Sequence, residues 1–129
     1  MIPRRAYLLF TVTGVYAVII MVFLLLPSDS IPKVRILSPD KLWHMFMYFL
    51  LALGLMFSFR EGNYQRWYNR RWTFIIALIH ASASEVLQVF SPGRSSNIFD
   101  WLANCLGIGL ALLGLHLFPK FFEKPLSGK

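Results

Sequence analysis

Cysteine and charge are both scarce in this chain. Cys105 is its single cysteine, so no disulfide can form within the chain, and its place in an apolar run suits a packing residue. Charged residues make up 15% of the 129 positions, whereas 57% are hydrophobic. Because a soluble domain of this size could not bury so much apolar surface, the composition indicates a membrane protein.

The sequence also lacks the short motifs that mark common catalytic and cofactor sites. It has no Ser-His-Asp signature, no glycine-rich phosphate loop and no nucleotide fingerprint. A metal site formed by His44, His80 and Glu85 is conceivable, but no HxxxH or HExxH spacing supports it. We therefore predict no metal and no cofactor, and we interpret His80 as a packing residue and His116 as an interfacial one.

Basic residues outnumber acidic ones and give a net charge of +7, which raises the question of nucleic acid. They lie at the ends of apolar runs and form no continuous stripe, as the positive-inside rule expects. Between Arg60 and Trp72, arginines alternate with aromatic residues, a pattern typical of an interfacial belt that contacts anionic lipids. We predict membrane lipids as partners and no nucleic acid.

Four apolar runs predict an all-α, four-helix transmembrane bundle that forms one domain over residues 1–129. A run of about 20 apolar residues is enough to span a bilayer. The first run is too long for a signal peptide and no cleavage site follows it, so we interpret it as a signal anchor. The helices are predicted at about residues 6–26, 40–59, 73–90 and 98–118.

Turn and capping residues mark where two of these helices begin. Ser38 and Pro39 suit the N-cap and first position of the second helix, and Asn97 suits the N-cap of the fourth. Small residues recur every four positions in the third and fourth helices, which favours close approach of helices and predicts a tight hairpin between these two. The first stripe is Ala77 and Ala81, followed at the same spacing by Glu85, and the second is Ala103, Gly107 and Ala111.

The distribution of basic residues predicts the orientation. Four spans place both termini on one side of the membrane, together with nine of the 13 basic residues. The positive-inside rule then predicts that both termini are cytoplasmic, in the bacterial cytoplasmic (inner) membrane. The second and fourth helices would begin, and the third would end, at the extracytoplasmic surface.

Polar residues concentrate at this predicted surface. At 1.5 Å rise per residue, all of them should lie within roughly 10 Å of it. Because ionisable groups inside membrane spans are costly, they point to function. The sequence predicts one ligand-binding cluster: Asp40, Lys41, His44, Glu85, Gln88, Arg94, Asp100 and Asn104.

Glu85 is the most informative member, because its carboxylate lies more than a turn inside a span. It is predicted either to pair with His44 or Arg94 or to carry a proton. Asp40 and His44 are four residues apart, so they should share one helix face. The alternative for the whole cluster is a polar latch that fixes the bundle through dipole and interhelical contacts.

The order and spacing of these residues resemble the VanZ-like family of small bacterial membrane proteins, over about residues 38–115. The resemblance implies a multi-pass membrane protein. The family takes its name from a member linked to resistance to teicoplanin, a glycopeptide antibiotic that binds cell-wall precursors. The matching segments are Asp40-Lys41-x-x-His44, Glu85-x-x-Gln88, and Pro92-Gly93-Arg94 followed by Asp100-x-x-x-Asn104 and Gly107.

Three hypotheses for function follow. The preferred one is binding of a lipid or cell-wall precursor headgroup, with Arg94 and Lys41 holding phosphate or carboxylate and the other polar residues orienting sugar or peptide groups. The second is an enzyme acting on such a lipid, with His44 or Glu85 as general acid or base. No nucleophile is obvious, so the sequence leaves the question of catalysis open. The third is an accessory subunit of a larger membrane complex.

Overall fold

The computed structural model describes residues 2–27 and 39–122, and all regular structure in this part of the chain is helical. The predicted all-α class is therefore confirmed. Pro39 takes the first helical position as predicted, while the predicted N-cap Ser38 lies outside the described residues. The helices are α1 (Arg4–Leu25), α2 (Pro39–Glu61), α3 (Arg66–Gln88), α4 (Ile98–Leu117) and the short α5 (Pro119–Phe122).

The start of α3 corrects the sequence interpretation, because the helix begins at Arg66 and not near residue 73. Most of the predicted interfacial belt is thus helical and packs on α2. The side chain of Asn69 donates to the carbonyl oxygen of Met56 at 3.0 Å and accepts from the Thr73 hydroxyl at 3.2 Å. This polar contact holds the first turns of α3 against the end of α2. The connection between the two helices, residues 62–65, is short.

The helix α2 is the central element, because it contacts each of the other four described helices. Its inward face supplies much of the core, with Tyr48, Ala52 and Met56 completely buried. In α1, by contrast, only four of its 22 residues are buried. Long apolar side chains on the outer face of α1 are therefore exposed, as lipid contact requires.

The closest pairing in the bundle joins α2 to α4, and it corrects the predicted hairpin of the third and fourth helices. Gly107 makes this approach possible: a Cβ there would collide with the carbonyl oxygen of Met45 and lie 3.0 Å from the Phe49 nitrogen. The small-residue stripe of α4 therefore faces α2. The helix α3 packs against both, and the indole of Trp101 bonds Ser82 at 3.1 Å.

A tight turn at Pro92-Gly93-Arg94 connects α3 to α4. The amide of Arg94 donates to the carbonyl oxygen of Ser91 at 3.1 Å. Pro92 and Gly93 fill the two central positions, and Gly93 has a φ of 72°. Proline followed by a residue with positive φ is the pattern of a type II turn, and that φ favours glycine.

Three of the described helices are long and apolar enough to cross a membrane: α1, α2 from Asp40 onward, and α4. The chain is therefore a membrane protein. The helix α3 is not among them, because it is more polar, with Arg71, His80 and Glu85 among its residues. Four spans and cytoplasmic termini remain predictions.

Candidate functional site

Buried polar residues gather at one end of the bundle, where α3 ends and α2 and α4 begin. We call this the site end, defined by His44, Glu85 and Asp100, and the opposite end, which carries Arg66 and Arg70, the basic end. All three residues that define the site end are buried. Antiparallel packing brings them together from three separate helices.

His44 lies at the centre of the site end and is 1% exposed. Its Nδ1 lies 3.0 Å from the Asn104 amide oxygen, which accepts hydrogen bonds. In the neutral tautomer that donates from Nδ1 to this oxygen, Nε2 keeps a lone pair. The same Nε2 lies 3.9 Å from a carboxylate oxygen of Asp40, which confirms that these two residues share a face of α2.

Asp100 extends the group from the first turn of α4. Its Oδ1 lies 3.5 Å from the Lys41 ammonium, an ion-pair distance, but forms no hydrogen bond with the described residues. The Lys41 side chain is 36% exposed, so this pair lies where the buried group meets the surface. Asn97 caps α4 as predicted, since its side chain accepts from the Phe99 amide at 3.0 Å.

Glu85 enters the same region from the last turns of α3 and is 4% exposed. Its Oε2 accepts the backbone N–H of Asn97 at 3.3 Å, so its recorded hydrogen bond is to the cap of α4 and not to the predicted His44 or Arg94. It lies close enough to His44, Asp40 and Asp100 to interact with them electrostatically.

Several buried polar atoms at the site end have no hydrogen-bond partner among the described residues. Such atoms are rare in folded proteins and each calls for an explanation, such as a bound water, an ion or a ligand. Within a membrane they are still more costly. The four atoms are His44 Nε2, Glu85 Oε1, Asp100 Oδ1 and Asn104 Nδ2.

Gln88 and Arg94 form hydrogen bonds with α1, unlike the other predicted site residues. This corrects the expectation that all eight residues form one cluster. The Gln88 side chain donates to the carbonyl oxygen of Leu24 at 3.2 Å, and Arg94 Nε donates to that of Leu26 at 2.8 Å. Both side chains therefore bind the C-terminal end of α1. Of the eight predicted residues, the structure groups six: Asp40, Lys41, His44, Glu85, Asp100 and Asn104.

Ser91 is a contributor that the sequence interpretation missed. It is buried, and its hydroxyl donates to the carbonyl oxygen of Leu25 at 2.5 Å. Together with Gln88 and Arg94 it completes a set of three side chains on consecutive carbonyls of α1. A serine at the end of an apolar helix was the available signal, but nothing in the sequence indicates which helix it meets.

His80 lies apart from the site, in keeping with its interpretation as a packing residue. Its Nε2–H donates to the carbonyl oxygen of Ala17 at 3.0 Å, and its Nδ1 lies 2.9 Å from the Tyr48 hydroxyl. The same hydroxyl lies 2.9 Å from Ser84 Oγ. This network joins α1, α2 and α3, and the tyrosine was not singled out from the sequence.

The comparisons with known proteins identify a family. Residues 13–119 match the VanZ/LLP1 family. The chain is also 30% identical over 117 residues to the uncharacterized protein C11E3.10 of Schizosaccharomyces pombe, covering 89% of this chain and 71% of that protein.

No solved structure matches. The yeast relative extends the similarity beyond bacteria, so the bacterial membrane predicted from the sequence remains a prediction. The family match contains every predicted site residue and most of the chain, and this protein therefore belongs to the VanZ/LLP1 family.

Proposed function

We propose that this protein binds the polar headgroup of a membrane lipid or of a lipid-linked cell-wall precursor at the site end. The observation that carries this proposal is the convergence of four buried polar atoms from three helices that have no hydrogen-bond partner among the described residues. A headgroup that offers hydroxyl, amine or phosphate groups would satisfy these atoms. The cost of leaving them unpaired in a membrane protein supports a ligand over a purely structural role.

The proposed placement in the membrane counts α3 as a fourth span. This helix has 23 residues, about 35 Å at 1.5 Å per residue, and packs along the apolar helices. Four passes put both termini on the side of most basic residues, so the site end faces outward across a bacterial inner membrane. In that position it meets lipid headgroups of the outer leaflet.

The polar groups divide naturally between parts of a headgroup. Lys41 is half-buried, where the site end meets the surface, and suits a phosphate or carboxylate oxygen. Glu85 Oε1 and Asp100 Oδ1 would accept from hydroxyl or amine groups, and Asn104 Nδ2 would donate. Arg94, assigned from the sequence to phosphate, instead supports the site by holding the α3–α4 turn against α1.

Binding of a cell-wall precursor would connect this chain with the resistance phenotype for which its family is named. A membrane protein that holds such a precursor at the outer leaflet would change its accessibility to a glycopeptide. We propose this link as a consequence of headgroup binding. Raised tolerance to teicoplanin on expression of the chain, lost with the Lys41→Gln variant, would support it.

Headgroup photocrosslinking tests the binding proposal. The protein is reconstituted into vesicles that contain either a phospholipid or a polyprenyl-diphosphate-linked sugar, each with a photoreactive headgroup, and adducts are mapped by mass spectrometry. We expect adducts in the first turns of α2 and α4. Because a hydrogen bond to a charged group contributes about 1.5–3 kcal/mol, Lys41→Gln should reduce them roughly tenfold or more.

The basic end supplies the controls. Adducts near Arg70 and Arg71 should be unchanged by Lys41→Gln, and Lys120→Gln, at an exposed lysine of α5, should leave the adducts at the site end unchanged. Adducts confined to the basic end, or equal yields from wild type and Lys41→Gln, would refute the proposal. The more reactive of the two probes identifies the headgroup class.

A second candidate function, catalysis on the same lipid, is favoured by one observation. His44 Nε2 is buried and lies 3.9 Å from the Asp40 carboxylate, and in the neutral tautomer it offers the lone pair that a general base requires. Time-dependent change of headgroup composition in the vesicles, abolished by His44→Gln, would identify an enzyme. Stable binding with unchanged lipids would identify a binding protein.

A further inference from the structure

The first turns of α2 and α4 place three metal-binding side chains together. One potential ligand atom each from Asp40, His44 and Asp100 lies within 4.8 Å of the other two. We propose that these residues bind a divalent transition-metal ion, Zn²⁺ or Mn²⁺. This departs from the sequence prediction of no metal, and it does not depend on headgroup binding.

The ring of His44 is prepared for this role. In the neutral tautomer its Nδ1–H bonds Asn104, and its Nε2 lies 3.9 Å from an Asp40 carboxylate oxygen without a hydrogen bond to any described residue. Histidines that bind metals donate their other N–H to an oxygen in this way, which fixes the tautomer and the ring orientation. At 1% exposure, this unpartnered nitrogen is not satisfied by bulk water.

The net charge of the site end also favours a bound cation. Asp40, Asp100 and Glu85 supply three carboxylates, and Lys41 is the cation at ion-pair distance from Asp100. When ionised, this group has an excess of two negative charges in a largely buried place, where uncompensated charge is costly. A divalent cation would neutralise that excess, and it would make the site attractive to a phosphate.

The donor set and its spacing favour Zn²⁺ or Mn²⁺ over Ca²⁺ or Mg²⁺. An imidazole with two carboxylates suits the former pair, whereas the latter prefer oxygen ligands throughout. Tetrahedral Zn²⁺ holds ligand atoms roughly 3.4 Å apart. The 3.9 Å between His44 Nε2 and Asp40 Oδ1 is already near this value, and the Asp40 side chain is 44% exposed and free to adjust.

No local sequence motif indicates such a metal site, and for this reason it was not predicted from the sequence. Two ligands come from one turn of α2 as an aspartate and a histidine four residues apart. The third comes from α4, 56 positions after His44. Three protein ligands with an open position are the pattern of a metal that also accepts water or substrate.

Titration of the metal alone tests the proposal. The full chain, without a histidine tag, is purified in detergent, stripped with chelator and titrated with Zn²⁺ or Mn²⁺ in the absence of added lipid. We expect one metal ion per chain and a thermal unfolding midpoint that rises with metal concentration. His44→Gln and Asp100→Asn should each weaken binding by more than about 100-fold, and Asn104→Ala by roughly tenfold or more.

Two further variants protect the test against misfolding and non-specific binding. Asp40→Asn changes a partly exposed ligand, so it removes a ligand with little risk to folding, and should weaken binding at least about tenfold. His116→Gln changes an exposed histidine of the basic end and should leave affinity and stoichiometry unchanged. A Co²⁺-loaded wild type should show visible absorption bands that His44→Gln abolishes.

The outcomes separate this inference from the proposed function. Absence of one-to-one binding, or an affinity unaffected by both His44→Gln and Asp40→Asn, refutes the metal site even where headgroup crosslinks persist in chelator. Metal binding without headgroup crosslinks at the site end retains the metal site and refutes the headgroup proposal.

Discussion

The two buried or half-buried histidines inside the bundle have opposite hydrogen-bond surroundings. His80 has a partner for each ring nitrogen, the Tyr48 hydroxyl and the Ala17 carbonyl oxygen, and thereby joins three helices. His44 is more deeply buried, yet one nitrogen bonds Asn104 and the other has no hydrogen-bond partner among the described residues. Burial therefore does not distinguish, in this molecule, the histidine with a partner for each ring nitrogen from the histidine with a partner for only one.

The difference lies in what each histidine leaves unpaired. A network whose donors and acceptors match contributes stability, as at His80. A buried group with an open lone pair and several nearby carboxylates costs stability, and such groups are retained where a ligand or reaction uses them. The three predictions below test this contrast, in order of decreasing effect on stability.

The largest effect is expected for Gly107→Ala. The added methyl would meet the backbone of Met45, next to His44, and force α2 away from α4. Overpacking of this kind costs about 1–3 kcal/mol, and we expect the upper part of that range because backbone cannot give way as a side chain can. Unfolding in detergent measures the loss.

The matched control is Gly109→Ala, because a Cβ at Gly109 meets nothing within 4 Å. This change should be neutral or slightly stabilising, since alanine is the better helix former by up to about 1 kcal/mol. Equal effects of the two substitutions would contradict the close approach of α2 and α4.

A smaller effect is expected for Tyr48→Phe at the His80 network. The change removes the hydroxyl that bonds His80 and Ser84 while keeping the ring in the core. Interhelical hydrogen bonds in membrane proteins contribute about 1–2 kcal/mol at most, so the free energy of unfolding should fall by that amount. Metal and headgroup binding should not change.

Tyr7→Phe, at an exposed tyrosine of α1, serves as the control and should leave stability unchanged. A tyrosine variant at position 48 that lost ligand binding and kept its stability would reverse the roles assigned to the two histidines.

The smallest effect on stability, with the largest on binding, is expected for Glu85→Gln. Glutamine keeps an acceptor for the Asn97 amide, and it removes one charge from a group with excess carboxylates. The free energy of unfolding should therefore change by less than about 1 kcal/mol, while headgroup crosslinking at the site end falls. Side-by-side unfolding and crosslinking measure both.

The opposite result, a loss of stability comparable to that of Tyr48→Phe with unchanged crosslinking, would support the polar-latch alternative. Glu85 would then belong with His80 among residues that hold the bundle together.

The sequence predicted the helices and the polar residues more securely than their partners. Pro39, Asn97 and the Pro92-Gly93 turn act locally, through fixed dihedral angles and caps, so their roles were readable from the chain. The start of α3 was not, because the arginines and aromatic residues after Gln65 suit a helix and an interfacial loop equally well. Contacts with other helices, such as that of Asn69 with Met56, favour the helix.

The sequence predicted only some of the contacts in the site, because it specifies relations within a helix better than relations between helices. Helical periodicity placed Asp40 beside His44, a relation within one helix. Which of Arg94, Gln88 and Asn104 faces the histidine depends on how separate helices rotate and pair, which periodicity does not specify. At Gly107, α4 packs against α2 and not α3, and this pairing determines which residue faces His44.

The three side chains that hold consecutive carbonyl oxygens of Leu24, Leu25 and Leu26 couple the outermost helix to the α3–α4 turn. The same turn leads into Asn97, whose amide positions Glu85. A sideways or axial force on α1 would therefore reach the carboxylate through a few short bonds. The most lipid-exposed helix of this small protein is thus mechanically connected to its most buried charge.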